Sequence, residues 1–379
     1  MCGEKMSNPK LSICIPTFNR ANIVYKTVMS CLQYDNPDIE VVVSDNCSDD
    51  NTESVLSKIS DNRFKYYKNN YNNGTNNLIS VLTYATGEYL LLTSDEDAIV
   101  IENMDKIMTV LQKINPAVLK ASASLFGKEY VKHRNGCYNA GFEAIRAYGC
   151  GSGYMSGYVF KKSIMDMLLD GMYGTDIDSS RFGYAYNFTN LTREMLQYGS
   201  LCFREEVITN QIGIGKRDMG IHFYGGKLCY SPEMRFITVK EMLNSLARVD
   251  LTEKEKYIMC EQYLIREVLN IHIGEYITTY DDNQLEKLHN EPGSELIYEY
   301  YVNNRRELTK HDIFNDINQS VGEYIEYIDK IGLFKEGYNS VQKKYLEITE
   351  EFKMKKEKIL NDFRIKKELI DKSIKLRTL

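Results

Sequence analysis

Between residues 10 and 105, short apolar runs alternate with segments whose apolar positions recur every three or four residues. Leu11-Ser-Ile-Cys-Ile15 is an apolar run stopped by Pro16 and reads as a buried strand. Ile23, Val24, Val28 and Leu32 recur at helical spacing and predict a helix over 21–34. Consecutive Val41, Val42 and Val43 predict a second buried strand over 39–44. A helix over 52–59 follows Ser48, Asp49 and Asp50, residues suited to capping it. A strand at 64–68, a helix at 78–85 ended by Gly87 and a strand at 89–93 complete the series. Strands alternating with helices imply an α/β fold: a mostly parallel, Rossmann-like sheet with helices on both faces. In such sheets ligands bind beyond the carboxyl ends of the strands. Polar clusters follow three of these strands.

Further along, the pattern predicts a helix over 101–114 before Pro116, a mixed stretch over 117–165, a polar loop over 171–183, a helix over 191–198 ending at Gly199 and a strand over 201–207. After Pro232 glycine and proline thin out and helical periodicity dominates. A boundary near 230 divides the chain into an α/β domain, residues 1–230, and an all-α C-terminal region, residues 231–379. Val341, Tyr345, Ile348, Phe352, Ile359, Phe363, Ile370 and Ile374 mark an amphipathic helix or a pair of them. Its apolar stripe suits packing or self-association. Its lysines, Lys353, Lys355, Lys356, Lys358, Lys366 and Lys367, with Arg364, offer peripheral membrane contact as the alternative.

Charge and cysteine usage narrow the picture. A net charge of −6 argues against nucleic acid as a partner. Nine cysteines are scattered without CxxC spacing, and the count is odd, which suits a reducing cytoplasm. No apolar h-region opens the chain and no run approaches the ~20 residues of a membrane span. The expected location is therefore cytoplasmic, with any contact at the inner membrane face peripheral.

The three clusters carry the candidate chemistry. Pro16-Thr17-Phe18-Asn19-Arg20 presents backbone and polar groups at the end of the first strand; taken alone, it also reads as a turn that caps the next helix. Ser44-Asp45-Asn46-Cys47-Ser48-Asp49-Asp50 follows the valine-rich strand, and Asp45, at the strand end, is separable from the capping residues as an acceptor for a base or ribose. Thr93-Ser94-Asp95-Glu96-Asp97 follows Tyr89-Leu-Leu-Leu92. Three adjacent acids repel one another unless positive charge lies among them, and carboxylates are the hard ligands Mg2+ and Mn2+ prefer.

Together, Pro-Thr-Phe-Asn-Arg, Val-Val-Val-Ser-Asp-Asn-Cys-Ser-Asp, Gly74 and Ala85-Thr-Gly-Glu-Tyr-Leu-Leu-Leu-Thr-Ser-Asp-Glu-Asp97 resemble the family 2 glycosyltransferases of the GT-A fold. The resemblance is strong over about residues 10–105 and continues weakly to about 215. It implies that Pro16, Thr17, Phe18 and Arg20 border the donor nucleotide, that Asp45 contacts the base, commonly uracil, and that Asp95 and Asp97 are the acids of the DxD motif. Those acids would hold Mn2+ or Mg2+ against the donor diphosphate. The implied activity is an inverting transfer of a hexosyl or N-acetylhexosaminyl group, from a UDP-sugar above all, to a hydroxyl. A glycan, a lipid-linked sugar and a protein such as flagellin are the candidate acceptors.

The chain departs from the family pattern where many inverting members carry a Glu-Asp pair: Tyr186-Asn187-Phe188-Thr189 contains no acid. Asp178 and Asp176, just upstream, are the substitute candidates for the general base, with solvated loop aspartates as the alternative. Glu194 is expected to turn outward. Lys216 and Arg217 are candidates for the diphosphate, and His222 for a further metal ligand. The tyrosine-rich stretch from Tyr148 to Tyr158 reads as an acceptor wall or as core. A competing reading is a non-catalytic, degenerate transferase acting as an assembly scaffold. A nucleotidyltransferase is disfavoured, because no glycine-rich basic loop follows the first strand.

Overall fold

The computed structural model describes residues 8–151, 154–174, 180–183, 186–213, 223–224, 227–228 and 232–263, with short stretches between 286 and 368. Its contacts divide the chain into two compact units: Met1–Tyr224 with Arg248–Asp250, and Gly225–Ala247 with Leu251–Leu379.

The first unit is built on a ten-stranded sheet. Its strands are β1 (Leu11–Thr17), β2 (Ile39–Asp45), β3 (Phe64–Lys68), β4 (Tyr89–Leu92), β5 (Asp97–Ile99), β6 (Val118–Leu125), β7 (Lys128–Val131), β8 (Gly136–Tyr138), β9 (Tyr158–Lys161) and β10 (Leu201–Gln211). The main path runs β3-β2-β1-β4-β9-β6-β10-β5, with β7 on β6 and β8 on β10. Pairing is parallel through β3, β2, β1 and β4, and again between β6 and β10. Since β4 and β6 both run antiparallel to β9, they share a direction, and the sheet is mostly parallel.

Both faces are covered because alternate side chains are apolar. Leu11, Ile13 and Ile15 join one core with Val41, Val43 and Leu91; Val24, Val28 and Cys31 of α1 (Ala21–Leu32), Leu56 of α2 (Thr52–Leu56), and Met104, Ile107 and Leu111 of α4 (Ile101–Ile114) complete it. On the other face Cys14, Val42, Leu90 and Leu92 are equally buried. There α3 (Asn77–Tyr84) packs on β1 and β2, α6 (Lys162–Leu169) on β9, and α7 (Asn187–Met195) on both helices; α5 (Phe142–Tyr148) precedes β9.

Several boundaries move. The first strand runs through Pro16 to Thr17, because Pro16 and Thr17 still pair with Ser44 and Asp45. The helix expected over 52–59 stops at Leu56. The helix expected to begin at Leu191 begins at Asn187. The strand expected over 201–207 continues to Gln211, drawn on by pairing with β5 and β6. Cys137 and Cys202 face each other across β8 and β10 and form a disulfide, which departs from the expectation that the cysteine usage suits a reducing cytoplasm. A pair 65 residues apart, brought together only by strand pairing, has no spacing signature.

The second unit contains α8 (Pro232–Ala247) and α9 (Glu253–Tyr263). Val239, Met242, Leu243 and Leu246 of α8, with Met259, Cys260 and Tyr263 of α9, are buried. The Tyr257 ring stacks on Phe334 at 4.2 Å between centroids, and Tyr327 donates to Asn244 at 3.0 Å. Most of residues 341–379 lie outside the described residues, among them Lys353, Lys355, Lys356, Lys358 and Lys366 of the set read as membrane-facing. Among the described residues no helix is long and apolar enough to cross a membrane.

Candidate active site

The carboxyl ends of β1, β2 and β4 lie side by side, with Thr17 opposite Asp45 and the Thr93 amide bonded to the Cys14 carbonyl at 3.0 Å. All three polar clusters therefore share one sheet edge. Thr17 donates its hydroxyl to Oδ2 of Asp95 at 2.7 Å, and Nη1 of Arg20 reaches Oδ1 of the same carboxylate at 2.9 Å. That nitrogen also pairs with Oε1 of Glu96 at 2.8 Å. The Thr27 hydroxyl of α1 fixes the Asp95 carbonyl at 2.7 Å, and Nε2 of Gln211 holds Oε2 of Glu96 at 3.0 Å. Arg20 supplies positive charge to two of the three adjacent acids, Asp95 and Glu96. Pro16 and Phe18 are half-buried beside Thr17.

Asp45 is fully buried. The Tyr66 hydroxyl donates to its Oδ2 at 2.6 Å, and the Ser48 amide to its Oδ1 at 2.8 Å. Burial, followed by the bond to Asp45, holds the Tyr66 hydroxyl well above its usual range. Each carboxylate oxygen retains a further lone pair for a ligand, but in this arrangement Asp45 anchors the turn after β2. Asn19, in the left-handed region at φ 53°, ties the first two clusters together: its amide donates to Ser48 Oγ at 2.8 Å and its Oδ1 accepts from the Asp49 amide at 3.0 Å. Ser48 thus bridges loops instead of capping the next helix. Asp50 receives the Thr52 amide at 2.9 Å and the Ala21 amide at 3.2 Å.

Asp97 opens β5 and is 1% exposed. The Tyr154 hydroxyl donates to its carboxylate at 2.8 Å, and Ser156 Oγ makes a second short bond to it. Burial pushes the Asp97 carboxyl up to about 6, offset by the two hydroxyls and reinforced by Glu96 and Asp95. An ionised Asp97 in this setting calls for positive charge. The set therefore fits a divalent cation in its chemistry: hard oxygen donors, a desolvated acid and hydroxyls that orient it. Among the described residues no group of three or more His, Cys, Asp and Glu side chains converges as a ready metal cage. A cation held here would complete its shell from a substrate phosphate and water.

Behind Asp97 lies Lys120 of β6, fully buried, with Nζ donating to the carbonyls of Tyr154 at 3.0 Å and Ser156 at 2.6 Å. Burial draws its ammonium down to about 7, partly offset by the charge of Asp97. Tyr130 packs edge-on against Tyr154 at 5.4 Å. Tyr148 and Tyr158 are buried core residues, so only Tyr154 of the tyrosine-rich stretch reaches the acids.

Glu194 turns inward, contrary to expectation, and is 1% exposed. Arg181 at 2.6 Å and Arg248 at 2.7 Å neutralise it, which makes it an anchor for α7. Asp176, Asp178, Lys216, Arg217 and His222 lie outside the described residues.

The family profile Glycosyl transferase family 2 matches residues 12–148, the span that contains β1 through α5 and both acidic clusters. Residues 12–148 form a glycosyl transferase family 2 domain. The chain is 38% identical over 111 residues to the GalNAc(5)-diNAcBac-PP-undecaprenol beta-1,3-glucosyltransferase of Campylobacter jejuni, covering 28% of this chain and 35% of that protein. It is 33% identical over 88 residues to the UDP-Glc:alpha-D-GlcNAc-diphosphoundecaprenol beta-1,3-glucosyltransferase WfaP of Escherichia coli, covering 23% and 35%. The chain thus spans about a third of the length of the curated relatives it matches. S. aureus TarS 1–349 in complex with UDP-GlcNAc has the same fold, with a TM-score of 0.53 at 16% identity over 74% of this chain and 79% of that one. Its complex with UDP gives a TM-score of 0.53 at 14% identity over 85% and 90%. The GT-A-like sheet of the glycosyltransferase domain is the one its motifs imply.

Thr17, Arg20, Asp95 and Asp97, selected from motif position, come together around the acidic turn. Tyr66, Lys120 and Gln211 carry no motif signal, and Tyr154 and Ser156, in the stretch read as an acceptor wall or core, hold an acid instead. A buried-strand lysine in Val118–Leu125 was the visible signal for Lys120; the others depend on pairings distant in sequence.

Proposed function

We propose that the chain is a metal-dependent glycosyltransferase that moves a hexosyl or N-acetylhexosaminyl group from a UDP-sugar to a hydroxyl of a lipid-linked glycan. The observation that carries this reading is the acidic turn, with Asp95 and Asp97 at the mouth of β4 beside Thr17, Arg20 and Asp45. The curated relatives support the acceptor class, because both names describe glucosyl transfer to diphosphoundecaprenol-linked sugars. They favour a lipid-linked acceptor over a protein such as flagellin; work at the cytoplasmic, inner face of the membrane is part of the same proposal. TarS, which shares the fold, carries UDP-GlcNAc and UDP in its structures, and this supports a uridine donor.

In this reading Asp97 and Asp95 hold Mn2+ or Mg2+, which when bound neutralises charge on the departing diphosphate. Tyr154 and Ser156 keep Asp97 oriented, and Thr17 does the same for Asp95. Arg20, already cationic between Asp95 and Glu96, is placed to turn toward phosphate oxygens once a cation takes over the acids. Asp45 and the turn it anchors border the base. The general base is assigned to Asp178 or Asp176, since α7 opens with Asn187 and Glu194 is occupied by two arginines. Inversion by a single displacement is expected.

A second reading, a non-catalytic scaffold, draws on one observation: the oxygens of Asp95 and Asp97 accept protein donors, and no acid opens α7. UDP release from UDP-sugars in the presence of Mn2+ and an undecaprenyl-diphosphate-linked sugar separates the two. Turnover that disappears in Asp97→Ala supports the enzyme; no turnover and no binding with any common UDP-sugar supports the scaffold.

A further inference from the structure

The middle of a strand whose neighbours are all buried is an unfavourable place for an ammonium group. Lys120 occupies such a position in β6 and is 1% exposed. Methionine or leucine would fill the same space without the desolvation that draws this ammonium down. No carboxylate touches Lys120 Nζ among its described partners. Instead it donates to two carbonyls, Tyr154 at 3.0 Å and Ser156 at 2.6 Å, and lies 4.1 Å from the centre of the Tyr158 ring. Those carbonyls belong to the two residues whose hydroxyls hold Asp97.

The segment is fixed from other directions too. Ser156 Oγ accepts the Ser94 amide at 2.8 Å, which ties it to the acidic turn from the other side. The Gly157 amide bonds to the Leu92 carbonyl at 3.1 Å, and its carbonyl receives the Ala121 amide at 2.9 Å. Gly157 has φ 88°, and a Cβ there would approach the Ala121 carbonyl oxygen to 3.0 Å and Lys120 Nζ to 3.7 Å. Only glycine admits so close a passage of the segment over β6.

We propose that Lys120 is a positioning residue for the transferase reaction: its ammonium clamps the 154–156 backbone so that the Tyr154 and Ser156 hydroxyls hold the Asp97 carboxylate in the orientation that receives the cation. The proposal rests on the glycosyltransferase reading. It assigns Lys120 no contact with donor, acceptor or metal. Partners that orient a ligating carboxylate typically matter by about 10–100-fold in metal affinity or activity.

The test measures Mn2+ affinity of the full chain in the presence of UDP, from the electron paramagnetic resonance signal of free Mn2+. Lys120→Met is expected to weaken Mn2+ binding about 10–100-fold, with the melting temperature lowered as well because two buried carbonyls lose their donor. Ser156→Ala is expected to weaken binding similarly, and Lys120→Met combined with Ser156→Ala to add little to either. A merely structural lysine would move the melting temperature and leave the affinity alone. Should Lys120→Met not fold, Lys120→Gln, which keeps an uncharged amide donor group, takes its place with a smaller expected loss. Wild-type affinity in either folded variant, or losses that add fully with Ser156→Ala, would overturn the clamp. Wild-type protein that itself binds neither Mn2+ nor UDP would remove the transferase reading, a distinct failure that takes the proposal with it.

Discussion

Arg20 and Asp97 represent two ways of managing charge in a buried turn. Arg20 pairs with Asp95 and Glu96 through one nitrogen, and all three side chains are largely withdrawn from water. Arg20→Leu leaves two carboxylates without their counter-charge, at a cost of about 3–5 kcal/mol. A thermal melt should show the loss, and Mn2+ should recover more of it in the variant than it adds to the wild type. Equal Mn2+ effects would contradict this account. Asp97 has no cationic partner among its described contacts, and burial lifts its carboxyl to about 6 from an ordinary 3.8. The folded protein therefore holds this proton more tightly than the unfolded chain does. The resulting stability is fully present below about pH 4 and is lost as pH rises through about 6, a difference on the order of 3 kcal/mol. Asp97→Asn cannot titrate there. In urea melts without metal, the wild type should lose stability relative to Asp97→Asn between pH 4 and pH 7. Parallel curves would show that Asp97 is not desolvated as described.

Among the elements, local pattern identified what local chemistry determines. Strands from Leu11, Ile39 and Tyr89 were readable from their apolar runs, and their ends located Thr17, Asp45 and Asp95. What the pattern could not supply was pairing order. Asp97–Ile99 looks like a solvated acidic loop until β10 arrives more than a hundred residues later to pair Gln211 with Asp97. Tyr154 and Ser156 reach Asp97 only because the segment ahead of β9 passes beside β4 and β6. Helical spacing turns Glu194 outward on paper, and the two arginines that neutralise it inside lie in separate stretches, at 181 and 248. Gly87 shows the same limit. It reads as a helix stop, yet its amide also donates to Ser12 Oγ at 2.8 Å, and an added Cβ would come within 2.8 Å of the Ser12 backbone nitrogen. Gly87→Ala should therefore cost about 1–3 kcal/mol by forcing β1 and the entry to β4 apart. A melting temperature equal to that of the wild type would contradict this packing.

Over the whole molecule, a parallel sheet explains why the candidate chemistry is concentrated at one edge: parallel strands bring their carboxyl ends, and the turns that follow, to the same side. The first unit carries this edge, and the family profile ends before the helical second unit begins. The central claim is that the acids after β4 grip a cation that in turn grips the diphosphate of a uridine donor. Isothermal titration of UDP into the full chain, with and without Mn2+, tests it most directly. The account predicts that Mn2+ tightens UDP binding at least tenfold in the wild type and leaves it unchanged in Asp97→Asn, where the ligating charge is gone. UDP binding of equal strength with and without Mn2+ in the wild type would contradict it.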